Sequence, residues 1–367
     1  MKSDGTEQGA NGQGPAGTEF PDRTPRSFRA GGLQKTWSLL RGFVPWGITL
    51  GLLAGAALRI LCHDALDPLI WFNAFTPYVY MPAYVVFIFA VWQRRWLMAA
   101  ANLLLILYHV TWVAPDFRPA TPYPASVAVS EVSRPVRIFS ANIRAENPDH
   151  EGVLREIASC DPDVIVLIEY RRWWTHSLRE SSVLKSYPYG TDLNQPYTGE
   201  IAVFSRLPIS KQQIIWLPDH MNNVVDIPLG NTSLRIFCLH SPRPIYEKPF
   251  GYGEFWSKEL PLISQQPRPL VVIGDFNATQ SSRVYQELTS ADLRSAHSDR
   301  GRGYATTWPN GDNPLPPIRI DQALLSPQVE CLSVAEGIGY GSDHKPLIVD
   351  IRVHEANPVS ATAFAAR

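Results

Sequence analysis

The sequence has few cysteines and little charge, and it has no excess of positive charge. Its cysteines, Cys62, Cys160, Cys238 and Cys331, are far apart and form neither a Cys-x-x-Cys pair nor a Cys/His pattern, which excludes the common zinc sites. We expect free, buried thiols, because Cys160 ends a predicted helix and Cys238 lies in an apolar strand. The net formal charge of −1 excludes a strongly basic chain of the kind that binds nucleic-acid duplexes.

Charged residues are absent from three long apolar stretches, Gly42–Leu58, Pro68–Gln93 and Trp96–Pro115. Each is close to the length that a helix needs to cross a bilayer, and several tryptophans lie near the ends of the stretches, where indole rings prefer the membrane interface. Buried core helices are the alternative, but soluble domains rarely contain three such stretches in succession. We predict three transmembrane helices within residues 37–115, with Asn102 and His109 in helix–helix contacts rather than in a ligand site.

The distribution of positive residues predicts how this region is oriented. Arg23, Arg26, Arg29, Lys35 and Arg41 precede the first stretch. The pair Arg94-Arg95 separates the second stretch from the third, whereas the loop between the first two contains aspartates. Because cytoplasmic loops are enriched in Lys and Arg, the N-terminus is expected in the cytoplasm and the chain after the third span outside. Arg59, near the end of the first stretch, is expected to extend to the membrane interface.

Composition divides the rest of the chain into segments. Residues 1–36 are rich in Gly, Gln, Thr and Pro without an apolar segment, which predicts a disordered cytoplasmic tail rather than a cleaved signal peptide. Residues 116–135, rich in Pro, Ala, Ser and Val, predict an extended linker. A compact domain is predicted over residues 136–353, followed by a flexible tail over residues 354–367.

The compact domain alternates between helical and strand patterns. The predicted strands are Val136–Asn142, Asp163–Glu169, Ile201–Phe204, Gln212–Trp216, Asn223–Ile227, Ser233–Leu239, Pro269–Ile273, Arg319–Leu325 and Leu347–Val353. The predicted helices are Glu151–Cys160, Phe250–Ser264 and Arg283–Thr289. Several strands follow one another without a helix, so the pattern predicts an α/β fold with two mixed sheets flanked by helices. The Gly- and Pro-rich segment 298–317 is either an ordered loop that lines a site or a plain surface loop.

Acidic, amide and imidazole side chains recur where these strands end. A lone Glu at the end of a strand usually just faces solvent. Asn142 and Glu169 follow two strands that a right-handed crossover would make parallel, which places both side chains at one edge of the sheet. Their oxygens could share a hard cation such as Mg2+. His240 also ends an apolar strand, where a capped surface histidine is the alternative.

A second group of polar side chains lies in the last hundred residues. Asp275 and Asn277 follow a strand on a tight turn and could face the same side, one to polarise water or a leaving oxygen and the other to hold a phosphate oxygen. Asp321 could orient the imidazole of His344 and raise its basicity, while Asp343 adds a metal or water contact. Carboxylates for a cation, a base for water and donors for phosphate oxygens are what metal-assisted attack on phosphorus requires.

These motifs, in their order along the chain, resemble those of the endonuclease/exonuclease/phosphatase superfamily. They are Asn142, Glu169, His240, Gly274-Asp-Phe-Asn277, Arg319-Ile-Asp321 and Ser342-Asp-His344. The segment Gly199–Arg206 also resembles a strand of that superfamily, and the resemblance covers about Val136–Val353. The superfamily includes DNase I-like nucleases, apurinic endonucleases, inositol phosphatases and neutral sphingomyelinases. The resemblance implies a four-layer α/β sandwich and a divalent cofactor, Mg2+ or Mn2+.

The resemblance also implies a metal site. Glu169 would be the chief metal ligand, assisted by Asn142 and Asp343. The superfamily often has Gln before this Glu, whereas this chain has Ile168. The difference removes a polar neighbour and leaves the ligand itself in place.

The remaining residues would have catalytic roles by the same resemblance. His344, oriented by Asp321, would serve as the base or as a phosphate stabiliser. Asp275 would position the attacking water, and His240 with Asn277 would stabilise the oxygens of the transition state.

The membrane stretches and the charge together suggest the substrate. Three spans before a domain of this type resemble a membrane-anchored bacterial branch that includes proteins associated with teicoplanin resistance. From Phe117 onward the chain has 24 Lys and Arg against 27 Asp and Glu, which argues against duplex nucleic acid as the partner. We therefore expect a multi-pass plasma-membrane hydrolase whose external domain cleaves a phosphate, diphosphate or phosphodiester bond of a lipid-linked substrate. The alternatives are a membrane-tethered nuclease or nucleotide phosphodiesterase, and a non-catalytic membrane binding module on the same fold.

Overall fold

The computed structural model describes residues 30–118, 134–191, 200–217, 220–244 and 251–354, with side chains described from residue 42 onward. Most of the predicted tails and of the predicted linker 116–135 lies outside these ranges. One boundary is wrong, because the first helix begins at Ala30 and residues 30–36 are therefore helical rather than part of a disordered tail. The chain divides into two compact units, residues 1–46 and residues 47–367.

Five helices precede the first strand in the described part of the chain. They are α1 (Ala30–Cys62), α2 (Asp67–Ala74), α3 (Thr76–Val79), α4 (Met81–Trp92) and α5 (Trp96–Val113). Two described stretches, Gly42–Cys62 and Trp96–Phe117, are long and apolar enough to cross a membrane. These correspond to the first and third predicted spans.

The second predicted span, Pro68–Gln93, is not one straight helix. It breaks into α2, α3 and α4, with a bend of 71° between α2 and the segment formed by α3 and α4. Pro68, Pro77 and Pro82 each lie in the first two positions of one of these helices. Proline fits a first helical turn but interrupts a continuing helix, so each proline begins a new one. This segment counts as a third span only if the bent pair crosses the membrane as a unit.

Polar side chains join the long helices to one another, as predicted. Asn102 of α5 donates to Thr49 Oγ1 of α1 at 2.8 Å. His109 Nδ1 of α5 lies 3.0 Å from the hydroxyl of Tyr84 in α4. Both residues therefore serve helix packing, in which a buried polar group finds its partner on a neighbouring helix.

Arg59, near the end of α1, is buried within the protein. Its side chain is only 3% exposed, and Nη1 donates to Thr76 Oγ1 at 2.6 Å. Nη2 donates to the carbonyl oxygen of Ser281 at 3.0 Å, and the guanidinium lies 3.8 Å from the centre of the Trp112 ring. The protein supplies hydrogen-bond partners inside, so the guanidinium is buried and links the end of α1 to the domain that follows α5.

Twelve strands follow in the described residues, numbered in chain order. They are β1 (Val136–Asn142), β2 (Val164–Ile168), β3 (Tyr189–Gly190), β4 (Ile201–Ser205), β5 (Lys211–Leu217), β6 (His220–Leu229), β7 (Thr232–His240), β8 (Leu270–Asp275), β9 (Arg294–Ser295), β10 (Asp321–Leu325), β11 (Val329–Glu336) and β12 (Leu347–Val353). The accompanying helices are α6 (His150–Cys160), α7 (Trp174–Glu180), α8 (Tyr252–Ser264), α9 (Arg283–Ser290) and α10 (Ala296–Asp299). All nine predicted strands and all three predicted helices of this domain are found within a few residues of their predicted bounds. The sequence did not predict β3, β9, β11, α7 and α10.

The strands form two six-stranded mixed sheets, which confirms the predicted α/β sandwich. The first has the order β11-β12-β1-β2-β4-β3 and the second the order β5-β6-β7-β8-β10-β9. Residues such as Ile138, Val166, Ile236 and Ile273 form the core between the sheets. Helices α6 and α7 cover the outer face of the first sheet, and α8 and α9 cover that of the second. Burial of these apolar faces is the main source of stability.

Strand pairing brings the predicted polar residues to one edge of the sandwich. Strands β1 and β2 are parallel, which places Asn142 beside the end of the strand that Glu169 follows. Strands β7 and β8 are also parallel, and His240 pairs directly with Asp275. Strand β10 runs antiparallel to β8 and begins at Asp321, which pairs with Asp275 from the other side. Both sheets therefore end in polar side chains at the same edge.

Gly274 is required for this arrangement by a close backbone approach. Its φ is +145°, and a Cβ at this position would lie 2.0 Å from the carbonyl oxygen of Leu239. Only glycine combines that backbone conformation with that space. The residue therefore allows β7 and β8 to bring His240 and Asp275 together.

The cysteines are free, as expected, although not all are buried. Cys238 and Cys331 are buried, whereas Cys62 and Cys160 are half-buried. Burial raises the pKa of the Cys331 thiol to about 12. The Cys331 thiol is therefore protonated and unreactive at neutral pH.

Glu259, a buried carboxyl in α8, predicts a pH dependence of stability. Its oxygens accept from Asn222 Nδ2 at 2.8 and 2.9 Å, and burial raises its pKa from 4.5 to about 7. A raised folded-state pKa stabilises the protein below about pH 4.5, and this stabilisation is lost as the pH rises through 7. Glu259→Gln is expected to raise the Tm at pH 8 and to flatten the dependence of Tm on pH between 5 and 8.

The matched control is Glu254→Gln, one turn earlier on the same helix, where the side chain is 51% exposed. Its Tm curve should run parallel to that of the unmodified protein. Thermal unfolding of the detergent-solubilised chain, followed by tryptophan fluorescence, measures both. Equal slopes for the two variants would contradict the assignment of a raised pKa to Glu259.

Candidate active site

Asp275 lies at the centre of the polar edge and is 1% exposed. Its Oδ2 accepts a hydrogen bond from Asn142 Nδ2 at 3.1 Å. The same oxygen lies 3.8 Å from His240 Nε2 and 3.7 Å from His344 Nε2. One carboxylate oxygen is thus surrounded by an amide and two imidazoles, which come from β1, from β7 and from the loop before β12.

Glu169 is held beside this centre as an ionised carboxylate. Its Oε1 accepts from Asn142 Nδ2 at 3.0 Å, and its Oε2 accepts from the backbone N–H of Ala145 at 3.0 Å. Burial alone would raise the pKa of Glu169, but the charge of His240 and these hydrogen bonds hold it below its ordinary value. The residue has a positive φ of 58°, so the chain turns sharply as it leaves β2.

The imidazole of His344 is fixed by Asp321. Its Nδ1 lies 2.8 Å from Asp321 Oδ2, which orients Nε2 toward Asp275. Ser342 holds the loop in place, because its hydroxyl donates to the Asn142 carbonyl at 2.7 Å and accepts from the His344 N–H at 3.1 Å. Burial would lower the pKa of His344, but the carboxylates of Asp321 and Asp275 raise it. The surroundings therefore favour the imidazolium.

His240 has an acidic partner on its other side. Its Nδ1 lies 3.6 Å from Glu200 Oε2, which is longer than a hydrogen bond, and Glu200 also accepts from Arg171 at 2.8 Å. Burial would lower the pKa of His240, but Glu200, Asp275 and Glu169 raise it. The contact with His240 in turn lowers the pKa of Glu200 to about 2. Glu200 was not predicted as a site residue, although it lies in the segment 199–206 that the resemblance included.

Asn277 and Asp343 lie on the open side of the centre. Asn277 Nδ2 donates to the Ser241 carbonyl at 2.8 Å, which uses one of its two amide hydrogens, and its backbone N–H donates to Asp275 Oδ1 at 2.9 Å. Asp343 Oδ2 accepts from Trp308 Nε1 at 3.3 Å. Since Trp308 belongs to the segment 298–317, that segment is the ordered loop that lines the site.

The cluster offers a donor set that suits a metal ion. Asp275, Asp321 and His344 each place one possible ligand atom within 4.8 Å of the others. Asn142 Nδ2 bonds to carboxylate oxygens of both Asp275 and Glu169, so the three side chains are adjacent. Buried carboxylate oxygens are the donors that a hard divalent cation prefers.

The predicted ligand set is only partly assembled. Asn142 and Glu169 touch, and Asn142 Oδ1 accepts from the Arg144 N–H at 3.0 Å while retaining a free lone-pair direction. Within the described residues, no hydrogen bond or ion pair joins Asp343 to either of them. The role of Asp343 as a ligand stays a prediction.

Arg243 is an additional basic residue at the site that was not predicted. Its Nη2 lies 3.7 Å from Glu169 Oε1, and the side chain is 57% exposed. A guanidinium at the mouth of an acidic site can bind a phosphate oxygen. The only signal in the sequence was its place three residues after His240.

Several solved structures are similar to the chain in fold. The structure of TDP2 from D. rerio with a single-strand DNA product is 19% identical, with a TM-score of 0.47, over 59% of this chain and 98% of that one. An endonuclease/exonuclease/phosphatase family protein from Bacteroides thetaiotaomicron is 16% identical, with a TM-score of 0.47, over 61% of this chain and 99% of that one. Its counterpart from Beutenbergia cavernae is 17% identical, with a TM-score of 0.45, over 61% and 72%. No curated protein matches the chain.

A family model identifies the domain. The model described as Endonuclease/Exonuclease/phosphatase family matches residues 139–344, a range that includes every residue of the site from Asn142 to His344. Members of this family are metal-dependent hydrolases of phosphoester bonds. The resemblance to the teicoplanin-resistance branch stays a prediction. The chain belongs to the endonuclease/exonuclease/phosphatase family.

Proposed function

We propose that the chain is a membrane-anchored, divalent-metal-dependent phosphoesterase that hydrolyses a phosphate, diphosphate or phosphodiester bond of a lipid-linked substrate outside the cytoplasm. The proposed reaction class rests mainly on one observation. The side chains of Glu169, His240, Asp275 and His344 lie together, largely buried, at one edge of the sandwich. Family membership supports the same class. Two helices that are long and apolar enough to span a membrane support the anchoring.

The cation in this proposal is Mg2+ or Mn2+, held by Glu169 and Asn142. Asp343 would add a further oxygen donor for the cation. When bound, the cation supplies Lewis-acid polarisation of the phosphoryl group. The low pKa of Glu169 fits this role, because the carboxylate stays ionised without help from the cation.

The protein's own groups orient water and neutralise the charge that develops on phosphate. Asp275 orients the attacking water through its central carboxylate. The imidazoles of His240 and His344, both favoured as imidazolium by their acidic neighbours, donate to the phosphoryl oxygens. Asn277 contributes its second amide hydrogen, and Asp321 keeps His344 in place.

The contacts of the membrane region support an external domain. Arg59, near the end of α1, bonds to Ser281, and Asp116, just after α5, lies 4.0 Å from Arg319. The domain therefore adjoins the helix ends that lie opposite the Arg94-Arg95 turn, which the positive-inside rule assigns to the cytoplasm. A reporter enzyme that is active only outside the cytoplasm is expected to be active when it is fused after Val353. Activity of a cytoplasmic reporter at that position would reverse the orientation.

The charge of the domain favours lipid over nucleic acid. The chain from Phe117 onward is slightly acidic, with 24 Lys and Arg against 27 Asp and Glu. Proteins that bind duplexes use many Lys and Arg contacts to phosphates. Membrane anchoring also keeps the site near lipid headgroups.

The direct test uses the full chain in lipid nanodiscs. Purified protein is incubated with lipid phosphates, lipid diphosphates, phospholipids and DNA, with Mg2+, with Mn2+ and with EDTA. The proposal expects metal-dependent release of phosphate or of a headgroup from a lipid substrate. Metal-dependent cleavage of DNA alone would overturn the lipid assignment, and the absence of hydrolysis across the panel would favour the non-catalytic binding module.

A further inference from the structure

A cavity of about 680 Å³, including the solvent at its mouth, opens beside the catalytic cluster. One end is polar and includes Asn277 and His344, which face the proposed phosphate position. The other end is apolar and includes Ile70, Trp71 and Ala74. The cavity thus connects the reacting centre to an apolar surface in one continuous space.

The apolar end is formed by helix α2, which belongs to the membrane region. Ile70 is 6% exposed and packs in the same apolar cluster as Phe276, next to the catalytic turn. Trp71 Nε1 donates to the Pro244 carbonyl at 2.8 Å, which fixes the indole against the loop that follows His240. Helix α2 is the first half of the bent pair whose second half is α3 and α4, so the apolar end of the cavity is formed by part of an apolar segment of the chain.

We propose that this cavity receives the hydrocarbon chain of the substrate next to its phosphate, with α2 as the specificity-determining element. This inference rests on the proposed function and narrows its substrate class to a phosphate or diphosphate ester that carries an alkyl, acyl or prenyl chain. The phosphate lies at His344 and Asn277, and the first carbons of the chain lie against Ile70, Trp71 and Ala74.

The chemistry of the lining favours a hydrocarbon chain over a nucleobase. The α2 side chains at the apolar end are aliphatic or aromatic, and Ile318 and Ile320 also line the cavity. The N–H of Trp71 is already bonded to Pro244, so it does not offer a donor to a base edge. A bound base is read by hydrogen bonds to its polar edges in addition to stacking. A hydrocarbon chain needs only apolar contact and the exclusion of water.

The first experiment measures chain-length dependence in the full chain in nanodiscs. Alkyl phosphates from two to twelve carbons serve as substrates. Each methylene that enters the cavity is expected to lower KM about fourfold until the cavity is filled. Ala74→Trp and the smaller change Ala74→Leu occupy the apolar end. The measured quantity is kcat/KM for the twelve-carbon substrate divided by kcat/KM for the two-carbon substrate. Ala74→Trp is expected to lower this ratio at least tenfold, and Ala74→Leu is expected to lower it by a smaller factor.

Leu66→Trp is the matched control. It adds an indole at a side chain that is 59% exposed and outside the cavity, immediately before α2. A readout that needs no turnover uses a photoreactive dodecyl phosphate with Glu169→Gln protein. Crosslinks mapped by mass spectrometry are expected in α2 and to be lost in an Ala74→Trp background.

The outcomes separate the two proposals. Two results would overturn the cavity assignment and leave the proposed function in place. One is metal-dependent hydrolysis with the same KM from two to twelve carbons, and the other is an unchanged ratio of kcat/KM between the twelve-carbon and two-carbon substrates in both Ala74 variants. If nucleotides bind more tightly than alkyl phosphates and lose that binding in Ala74→Trp, the cavity would be a site for a nucleobase rather than for a hydrocarbon chain. No hydrolysis of any substrate, with crosslinks still confined to α2, would overturn the proposed function and retain the cavity as a lipid site.

Discussion

Glu169→Gln is expected to lower kcat about a thousandfold, which corresponds to the loss of ~4 kcal/mol of transition-state stabilisation. The substitution keeps the size of the side chain and one oxygen for the Ala145 N–H, but it removes the charge beside Asn142 and Asp275. A neutral amide binds a divalent cation far more weakly than a carboxylate. Steady-state rates on the substrate identified in the panel, together with Mn2+ binding measured by electron paramagnetic resonance, test this.

Glu180→Gln makes the same chemical change at a side chain that is 70% exposed in α7, so it should retain activity and Mn2+ affinity. Glu169→Gln should fold but lower the Tm slightly, because it replaces a carboxylate that His240 and its hydrogen bonds stabilise in the folded state. Full activity in Glu169→Gln would contradict its role as the chief ligand. The Asp275, Asp321 and His344 cluster would then be the metal site.

His344→Asn is expected to lower kcat by a comparable factor of about a thousand, since a positioned imidazole contributes ~10²- to 10⁴-fold. Asp321→Asn should cost about a hundredfold, because it leaves the imidazole in place but weakens the 2.8 Å contact that orients it. The two effects should not add in the double variant, since Asp321 acts through His344. Rates of the single and double variants, each measured with saturating metal, give the coupling.

His176→Asn is the control, because this histidine is 84% exposed on α7. It should leave kcat unchanged. Additive losses in the double variant would mean that Asp321 acts independently of His344, for example as a direct metal ligand. Equal KM values across the series would place the loss in the chemical step rather than in substrate binding.

The strands that could be predicted were those with continuous apolar runs and clear ends. Val136–Asn142 is found at its predicted bounds because apolar residues form most of it and a polar residue ends it. The strand β11 was not predicted because a bulge between Cys331 and Ser333 breaks the alternation of buried and exposed side chains. A period-two pattern cannot be recognised across such a shift.

The site was predictable as a set of residues but not as a geometry. The strand ends gave Asn142, Glu169, His240 and Asp275, because parallel pairing makes strand ends meet. The central place of the Asp275 Oδ2 atom depends on how the two sheets pack, which no local pattern encodes. Arg243 and helix α2 reach the site only through tertiary contacts. For the same reason the uncharged stretch 68–93 was interpreted as a span, although Pro77 and Pro82 marked its breaks.

Ile70 has a consequence for the order in which the protein is made. It leaves the ribosome well before the strands that surround it, yet it packs with Leu239 of β7, Phe276 after β8 and Leu324 of β10. The second sheet therefore completes its outer core only against a helix that precedes the whole sandwich in the chain. Under the membrane anchoring proposed above, insertion of the apolar helices and folding of the domain are successive steps of one process, and a fragment that starts at β1 would lack part of its own interior.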